Sequence, residues 1–332
     1  MSKAWRMGLH FAGLTMFAFA FKRIGAGPVL HDVRTIGGGI LIIIGLSLVR
    51  LLLQTRSWSA ALKQDGIHAG AMELMFLRLA SQGIGYVTVL GPAASEPIKI
   101  QMLRHYGSGT AATLVDTGLY WLASGLVIVA GCVSPLLLVT NARFLPGAAI
   151  LGTAVLAALY LIAQPKLLLT PLVPRLRRRC PGWLKKAARV EIAIRQFAAQ
   201  NPAVIRRMFF LDLACQALLL LEVVVVFWCL NLPSRAEAVL EIETATRGVK
   251  IFASWMPARM GADESGAAGA FVLLGLPAAS GLAFALARRI RDMLNCLAGL
   301  IWLAWRTRSS EEFPGRQQAP SVMLNGELIC KP

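Results

Sequence analysis

Charge is scarce in this sequence. Of 332 residues only 15% are charged, against about a quarter in an ordinary soluble domain. Histidine is scarcer: His10, His31, His68 and His105 stand apart, without metal-ligand spacing, and no His-Glu-x-x-His pair occurs. No glycine-rich loop ends in Gly-Lys-Ser or Gly-Lys-Thr, and no serine sits in a nucleophile elbow. The cysteines (Cys132, Cys180, Cys215, Cys229, Cys296 and Cys330) show no zinc spacing. Four of them lie in apolar segments, where a free thiol behaves as a small hydrophobe. These absences argue against metalloenzyme, P-loop and serine-hydrolase chemistry. The expectation is a protein that is not an enzyme and needs no cofactor and no metal.

What is present comes in blocks. Hydrophobic residues make up 56% of the chain, and a membrane span needs ~20 mostly apolar residues. Thr117 to Ala142, Phe144 to Pro165 and Ser265 to Ala287 carry no charge, and Leu79 to Ser95 nearly reaches span length. Met7 to Phe21 and Thr35 to Val49 are shorter, with charged neighbours that can snorkel. Met208 to Leu230 is apolar apart from Asp212 and Glu222. Gly27-Pro28 reads as turn chemistry, and Trp58 beside Arg56 as a membrane-interface pair. The fold expected is all-α: a polytopic transmembrane bundle of about seven spans over 1–305, with broken or re-entrant helices and two similar halves. The polar tail, 306–332, reads as disordered.

The net charge of +17 is concentrated rather than spread. Lys166 to Arg207 holds eleven Lys or Arg and one acid, Glu191. A basic loop at 164–207 beside spans is the positive-inside pattern. It places that loop in the cytoplasm of a bacterial inner membrane, part of it as an amphipathic surface helix, and makes membrane lipids rather than nucleic acid the partner. With every apolar element spanning, Lys3 and Arg6 would fall outside. A re-entrant Met72 to Leu90 removes that conflict.

Two segments carry the chemistry. Gly91-Pro92 leads through small residues to Glu96 and Lys99. Pro257 leads through Arg259 and Gly261 to Glu264. Each stops an apolar helix at a proline and starts another after a glutamate, which is the pattern of a broken helix. Paired interruptions in two halves point to a transport site between repeats, while solvated interfacial loops are the plainer alternative. Asp116, Asp212 and Glu222 lie in apolar surroundings, where an unpaired carboxylate costs roughly 3 kcal/mol. Partners open to Glu222 are Arg247, Lys250, Arg288, Arg289 and Arg291. Ala236 to Met256 reads as a helix too charged to face lipid.

These segments resemble the flippase-like membrane family that includes the transmembrane region of lysylphosphatidylglycerol synthases and a branch found with hopanoid biosynthesis. Pro92, Glu96 and Lys99 match the first motif, with Ser95 where glycine is usual. Pro257, Gly261, Glu264 and the run Arg288-Arg289-Ile290-Arg291, which with Asp292 reads as the arginine-rich turn separating two apolar elements, match the second, with Ser265 between Glu264 and Gly266. Of the charges expected after the first motif, only Asp116 remains. The resemblance covers most of residues 5 to 305. It implies a lipid translocase or lipid-transport protein for a modified phospholipid, a polyprenyl-linked lipid or a hopanoid. In that reading Glu96 and Glu264 bind a cationic or hydroxylated headgroup, and Arg259, Arg288 or Arg291 holds its phosphate. The soluble aminoacyltransferase domain of the synthases is not expected in this chain. A membrane accessory that docks a separately encoded transferase is the alternative.

Overall fold

The computed structural model describes residues 25–87, 92–103, 106, 109–138, 149–150, 152–154, 156, 182–253 and 261–312. Outside them lie Met7 to Phe21, most of Phe144 to Pro165, Gly91, Pro257, Arg259, the basic run before Gly182, and the tail beyond Glu312. Among the described residues the chain is all-helical. In order these are α1 Ala26–Ile36, α2 Gly39–Gln64, α3 Ala71–Val87, α4 Pro92–Leu103, α5 Thr110–Leu138, α6 Gly182–Gln200, α7 Pro202–Cys229, α8 Ala236–Phe252, α9 Ala262–Leu273 and α10 Ala278–Glu312.

Three of these helices are long and apolar enough to cross a membrane, over Gly39–Gln64, Thr110–Val133 and Pro202–Cys229. Their outer faces are apolar too, with Leu41, Trp121, Leu221 and Trp228 exposed. Helix α10 turns Ile290, Met293, Leu294, Leu297 and Ile301 outward while burying Arg288 and Arg291. Apolar residues outside and charges inside are the reverse of a soluble helix, and they suit a helix whose solvent is lipid.

The helices repeat in kind. α3 and α8 each have 17 residues. α4 and α9, which follow them across a break, each have 12. A long helix comes before each such pair (α2, α7) and another after it (α5, α10). The halves exchange partners: α2 packs on α7, α3 on α10 and α8 on α5.

Glycine makes both exchanged contacts close. A methyl on Gly299 of α10 would overlap the backbone of Leu79 in α3, and one on Gly131 of α5 would sit 2.8 Å from the Leu240 carbonyl oxygen of α8. Small residues let helix backbones approach in lipid, where apolar burial between helices supplies little driving force. The α3–α10 contact is extended by stacked Phe76 and Trp302 rings, 5.6 Å apart, and by Arg306 Nη1 lying 2.8 Å from Glu73 Oε1.

Four readings from the sequence need correction. Ser265 to Ala287 is not one element but α9, a turn and the start of α10. Gly275 in the turn has φ 74°, a conformation that disfavours other residues, and Pro277 follows it. The run Arg288 to Asp292 is therefore no boundary between elements; it lies inside the 35-residue α10. Gly27-Pro28 does not form a turn but lies in the first turn of α1, where proline is tolerated. Trp58 is not interfacial: it is fully buried. The charged helix read over Ala236 to Met256 is observed as α8, and its charges face other helices. The basic loop contains a helix, α6.

Candidate functional site

Helix α9 begins at Gly261, whose φ of 80° suits glycine. Glu264, in the first turn, reaches back so that its Oε2 accepts the Gly261 N–H at 2.8 Å. Its other oxygen, Oε1, accepts from Arg289 Nη1 of α10. One buried carboxylate thus starts a helix and ties it to its neighbour. It also places negative charge at a helix N-terminus, where the backbone dipoles favour it.

Beneath this pair lies a lattice of buried ions. Arg288 donates from Nη2 to Glu243 Oε2 of α8 at 2.7 Å and to the Leu219 carbonyl of α7 at 3.1 Å. Its Nε lies 3.4 Å from Glu222 Oε2, and its guanidinium sits 4.4 Å over the Phe284 ring. Arg291 Nη1 binds the same Glu222 oxygen, and its Nη2 donates to Asp292 at 2.7 Å. Arg247 Nε donates to Glu243 Oε1 at 2.9 Å, while Nη1 reaches Ser124 Oγ of α5 at 2.7 Å. Of the partners open to Glu222, the structure takes Arg288 and Arg291. Glu243, read only as a charge on a helix, is at the centre, and Arg247, open as a partner to Glu222, pairs with Glu243 instead.

A cleft opens from this lattice, with about 460 Å³ of empty space counting its open mouth. Lys250, Arg288 and Arg289 line it, as do Asp263, Glu264 and Asp292, together with Tyr86 of α3 and Phe284. Cations and anions both line the wall, so the cleft offers donors for a phosphate and acceptors for an amine or hydroxyl.

The first half builds a second polar cluster. Arg78 of α3 pairs with Asp116 of α5. Lys99 Nζ donates to both oxygens of Glu96, at 2.9 and 3.0 Å, and Thr117 Oγ1 donates to Glu96 Oε2 at 2.7 Å. Trp58 of α2 takes the Lys99 ammonium 5.3 Å and the Arg78 guanidinium 5.5 Å from its ring centroid, and its Nε1 donates to Thr113 Oγ1 at 3.1 Å. Such contacts hold a desolvated cation against an aromatic face.

The two motifs therefore sit in different surroundings. Glu264 and Arg288 line the cleft, Arg291 is buried beside it on Glu222, and Glu96, Lys99 and Asp116 belong to the other cluster. Pro92 opens α4, as Gly261 precedes α9. Gly91, Pro257 and Arg259 fall outside the described residues. Tyr86 and Gln216 went unnoticed in the sequence, and nothing local marks either.

Comparison with known families decides the lineage. The family model described as the lysylphosphatidylglycerol synthase TM region matches residues 7–299. The chain belongs to that family. It is a multi-pass membrane protein, as the family and the apolar helices together indicate. Neither the curated proteins nor the solved structures yielded a match.

Proposed function

We propose that this member of the lysylphosphatidylglycerol synthase TM family is a lipid translocase of the bacterial inner membrane, with 164–207 on the cytoplasmic side. The observation that carries the reading is the cleft beside α9, lined by three cations and three carboxylates within a helix bundle. A lipid headgroup presents the same two kinds of charge. Lys250, Arg288 and Arg289 meet its phosphate. Asp263, Asp292 and Glu264 meet its amine or hydroxyls, as in a modified phospholipid, a polyprenyl-linked lipid or a hopanoid. Because Glu264 and Arg289 already satisfy one another, a headgroup enters by exchanging pairs rather than by filling empty sites. That keeps the desolvation cost of the resting state low.

The test is movement of headgroup-labelled lipids in proteoliposomes, read by quenching the outer leaflet. Wild type speeds loss of the protected signal. Lys250→Ala and Asp263→Asn, which alter the wall of the cleft, slow it by about tenfold, equivalent to 1.4 kcal/mol. No acceleration with phospholipid, polyprenyl or hopanoid probes overturns the reading.

A further inference from the structure

The cluster around Trp58 has one carboxylate too many. Its acids are Asp116, Asp212 and the half-buried Glu96, and its bases are Arg78 and Lys99. Arg78 is taken by Asp116 and Lys99 by Glu96. Asp212, on α7, is 1% exposed and makes no ion pair among the described residues; its Oδ2 has no hydrogen-bond partner. The charges acting on it are Asp116 and Arg78. Next to it on α7, Cys215 lies against the Arg50 carbonyl of α2, and the half-buried Arg50 also acts on Asp292. The side of α6 packed nearby supplies apolar Phe197 and Ile194.

Two residues near this carboxylate also carry idle hydrogen-bonding atoms. Gln216, one turn along α7 and equally buried, has neither amide atom partnered. Arg78 is bound through Nη2 alone, leaving Nε and Nη1 without acceptors. Unused donors on an arginine and an unused acceptor on a neighbouring carboxylate describe two states of one site. With a proton on Asp212 the cluster is neutral, and Arg78 belongs to Asp116. Without it, the extra negative charge draws on Arg78, whose Nε and Nη1 are free to take a second acceptor. A metal cation is a poor alternative, because it needs several oxygen ligands and would sit beside two fixed positive charges.

We infer that Asp212 is a proton-binding site, and that Arg78 divides its guanidinium between Asp116 and Asp212 as that proton comes and goes. The step is protonation of one carboxylate oxygen; the proton enters from water on one side of the membrane and leaves to water on the other. Its consequence reaches the cleft through α7, which carries Asp212 and, about 15 Å further along its axis, Glu222 of the ion lattice. The coupling role rests on the translocase reading, whereas the proton site does not.

Two measurements on the full chain in proteoliposomes separate them. Infrared difference spectra across a pH titration are expected to show a carboxylic-acid C=O band in wild type that is absent in Asp212→Asn and shifted in Asp212→Glu. An unchanged band in Asp212→Asn overturns the proton site. In the second, lipid movement is compared with and without an imposed pH gradient. Wild type is expected to respond about fivefold or more, the lower range of coupling between sites. Asp212→Asn moves lipid at one rate in both conditions, and Asp212→Glu regains the response. A wild-type rate indifferent to pH but raised by a sodium gradient overturns the coupling. Absence of lipid movement in every arm overturns the translocase reading instead, and the infrared band alone then decides the proton site.

Discussion

Arg78 and Glu243 hold equivalent places in the two halves and carry opposite charges. Arg78 comes seven residues after Ala71 and Glu243 seven after Ala236, on helices of equal length. Each pairs with the long helix that closes its own half, Arg78 with Asp116 and Glu243 with Arg288. The architecture is repeated while its polarity is inverted, so the two interiors are not interchangeable. One half encloses a surplus carboxylate, and the other a dense arginine lattice open to a cleft.

Breaking the first pair costs more than deleting it. Arg78→Gln leaves Asp116 buried and unpaired, and thermal unfolding in detergent is expected to show a loss of about 3–5 kcal/mol. Arg78→Met combined with Asp116→Leu recovers most of that loss. Equal loss in the single and double variants refutes the pairing.

Arg288 serves Glu243, Glu222 and a carbonyl at once, so its geometry matters beyond its charge. Lysine supplies a point charge without the planar fork. Arg288→Lys is expected to fold with reduced stability and to slow lipid movement, while Arg288→Ala destabilises by about 3–5 kcal/mol. Wild-type stability in Arg288→Lys contradicts the hub.

Glu264 has two jobs that substitution can separate. Glu264→Gln keeps an oxygen for the Gly261 N–H but loses the charge opposite Arg289. Glu264→Ala loses both. The alanine variant is expected to be less stable than the glutamine variant by about 1 kcal/mol, the usual worth of a helix N-cap. Both slow translocation in the quenching assay. Identical stabilities rule out the capping role.

Close helix contacts can be probed by single methyl groups. Gly299→Ala drives a Cβ into the Leu79 backbone, and Gly131→Ala drives one into Thr244 and the Leu240 carbonyl. Each is expected to cost about 1–3 kcal/mol as overpacking. Gly45→Ala, where nothing lies within 4 Å, is the control and is expected to unfold at or slightly above the wild-type temperature.

Much of the fold was readable because its solvent is lipid. Long apolar runs announced α2, α5 and α7, and the cost of burying Asp212 and Glu222 marked them for attention before any partner was known. What stayed hidden was pairing between distant residues. Arg288 to Asp292 read as a turn because charge ordinarily ends an apolar segment. It stays helical because Glu222, Glu243 and Glu264 come from three other helices to neutralise it. Trp58 read as interfacial for the same reason, since its buried cations Arg78 and Lys99 lie on other helices. Glu96 and Glu264 looked like equals in the motif. Only their neighbours distinguish them, a lysine on the same helix for one and an arginine on the next helix for the other.

The exchange of partners between halves also sets an order of assembly. Helix α3 is made and inserted long before α10, yet its glycine face at Gly83 fits against α10, where an added Cβ would lie 3.0 Å from the Cys296 carbonyl oxygen. Until the ribosome finishes α10, the first half has no permanent seat for α3, and α5 waits in the same way for α8. Neither half matures alone. A chain stalled between them leaves the close-packing faces of α3 and α5 uncovered in an unfinished bundle, the kind of species that membrane quality control removes.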